Sequence, residues 1–323
     1  MFTPTAIDFS KTKTYSSADR HNLVTVDSLR VPCADADDLY QSDELDILVE
    51  KLKQARAKGL GVTCFYGAHV IKCGLSNYLI RLIQDGYITH LASNGAGSIH
   101  DFELAFLGGT SEHVPTAIED GSFGMWEETG AWMNEAIIAG AKQGLGYGQS
   151  LAAYVDAHPD RFPYRESCVF YRAYQMGVPA TYHVTIGTDI IHQHPKADFA
   201  AIGQTSGRDF AFFCQSLTTL DPAGVHMNIG SAVTGAEVFL KALSIARNQG
   251  HALREITTAN FDLFPLGDYK SPVGQDRYEY YYRPRKNIIN RPVSLGGTGL
   301  YICGNHMQTI PSLWRRLQPT EGE

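Results

Sequence analysis

The sequence predicts an α/β fold: a doubly wound, mainly parallel sheet with helices on both faces. Three joins of one kind carry that expectation, each running from strand through glycine turn to helical pattern, at residues 60–83, 88–106 and 224–248. Repetition of that unit argues for parallel strands covered on both sides. With 323 residues, of which 44% are hydrophobic and 19% charged, the chain can bury a large core. No internal repeat, low-complexity tract or Pro/Ser linker divides it, so an arm over 1–40 and a single domain over 41–323 are expected, the domain carrying an extended carboxyl-terminal segment.

The first thirty-odd residues show little apolar period and read as an arm of the kind that packs on a neighbouring subunit. From Ser42 a helix is signalled by Leu45, Leu48, Leu52 and Ala55, and it stops at Gly59. Leu60–Tyr66 reads as a buried strand, Gly67-Ala68-His69 as its turn, and Leu75–Ile83 as helix. In the second unit Ile88–Ala92 is strand and Ser93-Asn94-Gly95-Ala96-Gly97-Ser98 is turn. Ser98 and Asp101 stand at capping-box spacing for the helix that follows. Gly108–Gly130 reads as loop, Met133–Gly144 and Cys168–Met176 as helices, and Val178–Ile186 as a strand ending in Gly187-Thr188-Asp189. Phe210–Leu217 is helical, and Gly224–Ile229 is strand with Gly230-Ser231-Ala232-Val233 as its turn. The helix Ala236–Asn248 comes next, then the strand Glu255–Phe261 with Asp262 at its carboxyl end. The tail holds an aromatic stretch, Tyr278–Tyr282, a basic one, Arg283–Lys286, and a glycine-rich one, Leu295–His306.

Composition narrows the partners. A formal charge of −7 argues against nonspecific nucleic-acid binding and permits a cationic ligand. No apolar run approaches a membrane span, and Met1-Phe2-Thr3-Pro4 begins no secretory signal. Cysteines 33, 64, 73, 168, 214 and 303 are scattered without a C-x-x-C pair. They read as buried free thiols of a reducing cytoplasm, not as a disulfide frame or zinc site.

The order of the joins resembles the deoxyhypusine synthase family. The resemblance rests on N-G-A-G-S-I-H-D at Asn94–Asp101, I-G-T-D at Ile186–Asp189 and N-I-G-S-A-V at Asn228–Val233. The last is followed by a long helix and I-T-T-A-N-F-D at Ile256–Asp262, so roughly residues 40–265 are covered in order. It implies a Rossmann-like fold, a homotetramer with sites at dimer interfaces, and bound NAD. The implied chemistry oxidises an amine of a polyamine such as spermidine to an imine, captures the aminoalkyl group on a lysine, and passes it to an acceptor amine. By the same resemblance Asn94, Gly95, Ala96 and Gly97 match the cofactor loop, His100 and Asp101 enter the site, and Asp189 is a carboxylate near the cofactor. Ser231 and Ala232 replace a glycine run, and Glu237 stands where the family has a proton-moving histidine. Asn260 and Asp262 close the cofactor set, with Asp101 and Glu103 on the substrate side; by residue type alone Glu103, Glu119 and Asp120 are candidate ammonium ligands. The S-W-G-K segment that supplies the family's lysine is absent, which favours chemistry between small amines, such as homospermidine formation, over protein modification.

Several residues carry two readings. A glycine turn feeding a helix suits a phosphate and is equally a plain connection. Lys286, flanked by Arg283 and Arg285, is either an imine-forming lysine or part of a solvated basic turn. The four tyrosines at 278, 280, 281 and 282 either box a cationic amine or pack a core. His69 is a packing residue or a ligand contact. Asp189, His192 and His194 are ligand types for a metal-assisted hydrolase, against a cofactor loop without metal. A non-catalytic or regulatory nucleotide-binding homologue that kept the sheet is a further alternative.

Overall fold

The computed structural model describes residues 4–33 and 40–319. Six strands form the central sheet: β1 (Val62–Tyr66), β2 (His90–Asn94), β3 (Ala180–His183), β4 (Val225–Ile229), β5 (Thr257–Asp262) and β6 (Thr298–Cys303). They are all parallel and lie in the order β3-β2-β1-β4-β5-β6. This is the doubly wound, Rossmann-like order, which reverses between β1 and β4. The helices are α1 (Asp43–Ala57), α2 (Ala68–Lys72), α3 (Ser76–Gln84), α4 (Gly95–Leu107), α5 (Val114–Asp120) and α6 (Glu127–Gln143). They continue with α7 (Tyr147–Ala157), α8 (Val169–Gln175), α9 (Phe199–Thr218), α10 (Thr234–Asn248), α11 (Tyr278–Tyr281) and α12 (His306–Arg316).

Alternation along the strands divides the core. Val62, Cys64 and Tyr66 of β1 pack with α1, α3 and α12 through Leu45, Leu52, Leu79 and Trp314. Phe65 turns to the opposite face, where Phe213 of α9 and Phe239 of α10 cover it. That second face also carries a buried polar seam. His90 shares hydrogen bonds with Ser216 and Thr181, and His226 with Thr63. The Phe213 ring lies 5.3 Å from His90, 5.4 Å from His183 and 6.2 Å from His226, centroid to centroid. Burial brings all three imidazoles down to about 3, so they are neutral in the folded protein.

Two buried carboxylates start helices at a distance. Asp101, within α4, accepts from Val169 N and Phe170 N at the head of α8, at 2.9 Å and 3.0 Å. Asp209, within α9, accepts from Gly148 N of α7 at 3.0 Å and from Tyr182 N of β3 at 2.7 Å. Ser206 of α9 takes the Val184 N–H and donates to Tyr182 O, so α9 fills the outer hydrogen-bonding groups of this edge strand.

The boundaries differ from the sequence reading in several places. Helix α4 begins at Gly95 with Asn94 as its cap, so Ser98 and Asp101 form no capping box. Residues 108–130 contain α5 and the start of α6, and α7 lies where no helix was expected. The aromatic stretch forms a short helix, Tyr278–Tyr281, with Tyr278 and Tyr281 exposed, so these two pack no core. The glycine-rich tail contains β6, because Gly299 must pass close under Ile289, where a Cβ would strike its carbonyl oxygen. The arm packs on its own chain: Val24–Thr25 pairs with Gly109–Thr110, and Ser17 N donates to Glu128. Its residues 1–3 and 34–39 lie outside the described segments. Of the six free thiols Cys64 and Cys168 are buried, whereas Cys33 and Cys303 are exposed. Among the described residues no helix is long and apolar enough to cross a membrane.

The seam predicts an acid-sensitive fold. An unfolded histidine takes its proton near 6.5, the folded ones only at about 3, so their contribution is complete above 6.5 and is lost as pH falls from 6.5 toward 3. Asp101, Asp189 and Asp209, raised by burial to about 6, 6 and 7, act in the opposite sense as pH rises from 3.8 toward those values. Comparing His226→Gln with the parent isolates one histidine: urea stability of the variant should fall less steeply below pH 6.5, by about 1.4 kcal/mol per pH unit. Asp101→Asn should lower urea stability by roughly 1–3 kcal/mol, because the amide cannot accept both N–H groups as the carboxylate does.

Candidate functional site

Ligands of parallel α/β sheets sit beyond the carboxyl ends of the strands. At the end of β2, Asn94 Oδ1 accepts from Gly97 N at 3.0 Å and turns the strand directly into α4. Gly95 has no room for a side chain, since a Cβ would run into the carboxylate of Asp189. The loop after β3 therefore lies across the head of α4. Ala96 and His100 of α4, with Thr188 and Asp189 of that loop, wall a cavity of about 230 Å³.

His100 is oriented by a chain of hydrogen bonds. Thr110 donates its hydroxyl proton to Glu103 Oε2 at 2.6 Å, so Thr110 Oγ1 accepts from His100 Nδ1 at 2.7 Å. The pattern assigns the ring proton to Nδ1 and leaves Nε2 bare, without a partner among the described residues. Burial brings the His100 pKa down to about 4, with Lys72 and Arg20 acting the same way and Glu103 against them. Glu103 itself is filled: Oε1 accepts from Arg20 Nη1 at 2.7 Å and from Thr129 Oγ1 at 2.9 Å. It lines the cavity as the anchor of this chain, with no oxygen left uncommitted.

Across the cavity Asp189 is pushed up to about 6 by burial, and its Oδ2 has no hydrogen-bond partner among the described residues. His192 Nδ1 accepts from Gly187 N and Asp189 N at 3.1 Å and 3.2 Å, which puts the ring proton on Nε2, 3.9 Å from Asp189 Oδ2. His194 faces elsewhere, with Nε2 3.2 Å from Glu127 and Nδ1 accepting from Lys196 N. Asp189, His192 and His194 thus do not converge. Among the described residues no three His, Cys, Asp or Glu side chains form a group that could hold a metal ion.

The remaining candidates scatter over the same end of the sheet. Asp101 is turned toward α8 and stands apart from the cavity lining. Ser231 Oγ accepts from Gly235 N at the start of α10, and Ala232 is exposed beside it. Asn260 Oδ1 accepts from Asn228 Nδ2 at 2.6 Å, leaving Asn260 Nδ2 and Asn228 Oδ1 buried and unpaired. Asp262 caps its own turn through Leu263 N and Phe264 N and accepts from the Tyr282 hydroxyl. Glu237 pairs with Lys241 and Arg283 and accepts from Asn287 at 3.0 Å. Lys286 lies in the π-helical turn Arg285–Asn290, beside β5, β6 and α10, and does not line the cavity with His100. His69 stands 6.5 Å from His306, ring to ring, at the ends of β1 and β6. Arg20, Lys72, Ser111 and Glu112 are further polar residues of the cavity wall and were not picked out from sequence. Of these only Lys72, at the end of the helix following β1, had a signal, namely its place beyond a parallel strand.

No protein-family model matches the sequence, and no curated protein matches it. Solved structures resemble the fold. ArgZ, an arginine dihydrolase from the ornithine–ammonia cycle in cyanobacteria, aligns at 13% identity and TM-score 0.50 over 86% of this chain and 33% of its own. A protein provisionally called LOR/SDH, from Methanococcus maripaludis S2, aligns at 12% and 0.50 over 88% and 71%. One provisionally called a deoxyhypusine synthase, from Entamoeba histolytica, aligns at 9% and 0.42 over 86% and 87%. The chain thus spans about a third of the length of ArgZ. The two likenesses at TM-score 0.50 bear out the Rossmann-like fold, and the family resemblance drawn from sequence is shown no further than that fold.

The orientation of His100 is open to measurement. Long-range nitrogen–proton NMR at neutral pH should show Nδ1 protonated and Nε2 bare, with the ring titrating only near pH 4. In Thr110→Val, which removes the acceptor, both tautomers should appear.

Proposed function

We propose that the protein is an NAD-dependent enzyme that oxidises a small amine to an imine, passes the imine carbon to an acceptor amine with release of the first amine, and reduces the new imine with the same hydride, in the manner of deoxyhypusine synthase. The supporting observation is the pairing, across one cavity, of a neutral His100 with a bare Nε2 and a buried Asp189 whose Oδ2 has no hydrogen-bond partner among the described residues. At pH 7 Asp189 is mostly ionised and attracts an ammonium group. His100 Nε2 accepts the proton that the amine must lose before the adjacent carbon can give up hydride, and the Thr110–Glu103–Arg20 chain keeps the ring in position.

Residues beyond β3, β4 and β5 fit a dinucleotide. At the head of α10 Ser231 Oγ takes Gly235 N, while the N-cap residue Val233 adds no side-chain cap, so the other first-turn N–H groups are those a phosphate would meet. A second cavity of about 320 Å³ opens against Thr234 and is lined by Thr185 and Ile186, which shortly precede Thr188 and Asp189 of the His100 cavity in the segment after β3. Ser231, Ala232, Asn260 and Asp262 stand beside that helix start or at the end of β5, and would hold NAD there. When bound, NAD supplies the hydride acceptor. Covalent capture by Lys286 receives no support from its position, so direct transfer to an acceptor amine is the preferred route. A homotetramer with sites completed at dimer interfaces belongs to the same proposal.

Incubation with NAD and spermidine or putrescine, followed by mass spectrometry, should reveal new amines. His100→Gln should lower kcat by roughly 10²–10⁴-fold, and Lys286→Met should leave it unchanged. Absence of both NAD binding and turnover would sink the reading.

A further inference from the structure

The cavity between His100 and Asp189 is lined by cations as well as carboxylates: Arg20 and Lys72 stand with Glu103, Glu112 and Asp189. Arg20, its side chain 2% exposed, places Nη1 on Glu103 and Nε on Asn22 Oδ1 at 2.9 Å. Its Nη2 is buried with no partner among the described residues, while both Glu103 oxygens accept from other donors. Lys72 lines the same cavity and forms no hydrogen bond or ion pair with a described residue. Arg20 thus lines the space with one buried nitrogen unpaired, and Lys72, an exposed side chain, stands at its edge with its ammonium group free of partners among the described residues. Glu103 answers the guanidinium charge through Nη1, and Cζ lies 5.4 Å from the centroid of the Trp126 ring, but the Nη2 N–H groups, taken out of water, have no acceptor in the described protein.

The acidic wall is equally incomplete. Asp189 Oδ2 and Glu112 Oε2 are both buried and unpaired, although Glu112 Oε1 accepts from Gly124 N at 3.1 Å and Trp126 Nε1 at 3.0 Å. Ser111, next to Glu112 in the cavity wall, holds φ at 68°, a left-handed conformation that non-glycine residues adopt mainly where the surroundings impose it. Unmet donors and unmet acceptors thus line one small space. At about 230 Å³ it lies below the roughly 300–1,000 Å³ of pockets for drug-sized ligands and is too small for a dinucleotide.

We infer that the ligand of this cavity is a zwitterion: a small amine bearing a carboxylate, that is, an amino acid and not a plain polyamine. Its carboxylate meets Arg20 Nη2 and Lys72, and its ammonium group meets Asp189 and Glu112. The inference rests on the amine-site reading above and names the substrate class of that site.

Matched pairs that differ only by the carboxylate test it: ornithine against putrescine, and lysine against cadaverine, by calorimetry on the full chain. In at least one pair the amino acid should bind about tenfold tighter or more, the scale of one charge-assisted hydrogen bond. Lys72→Met should erase most of that advantage without weakening the diamine, and Arg20→Lys, which keeps the charge facing Glu103, should reduce it. Diamines that bind as tightly as their amino acids overturn the inference and leave the amine site standing. Failure of both to bind removes the amine site as well. A loss of NAD affinity in Lys72→Met, with amino-acid preference intact, assigns the cations to the cofactor and also overturns it.

Discussion

The site depends on one buried ion pair, Arg20 with Glu103. Removing either member of such a pair costs about 3–5 kcal/mol, because the other charge is left desolvated. The pair pins the amino-terminal arm to α4, next to the short ladder of Val24–Thr25 with Gly109–Thr110. That ladder fixes Thr110, and Thr110 in turn sets the tautomer of His100. A residue remote in sequence thereby governs which imidazole nitrogen is free. The gain lies less in net stability than in position, since ion-pair attraction in an interior is largely offset by desolvation.

Buried carboxylates elsewhere serve a different purpose from Asp189. Asp101 and Asp209 are spent on backbone N–H groups of α7, α8 and β3, whereas one oxygen of Asp189 remains uncommitted. Burial raises all three carboxyls, yet only Asp189 can offer an oxygen to a ligand without breaking a helix cap. Hydrogen-bond bookkeeping separates structural acids from functional candidates here better than burial does.

Much of the architecture was legible because buried parallel strands and glycine turns leave a local signature. The turns at Gly67, Gly95 and Gly230 each lead into a helix, and Asp189 does lie beyond a strand end. Less legible were features fixed by distant atoms. Asp101 reads locally as a capping residue, but the helix it caps lies 68 positions on in the sequence. Gly95 and Gly97 look like loop and are helix, because the neighbours that forbid side chains there come from Asp189 and Ser93. Arg20 sits in a stretch without apolar period, so nothing nearby marks it as buried. The tail strand β6 was hidden by glycines whose cause, close passage under Ile289, is tertiary.

The filled edge of β3 constrains assembly. Tyr182 and Val184 give their outward N–H groups to Asp209 and Ser206, so an approaching strand finds those positions taken. Such an edge is a poor template for strand addition or fibril growth. At this side of the molecule, copies of the chain would have to meet through helix surfaces, where association stays reversible and leaves the sheet intact.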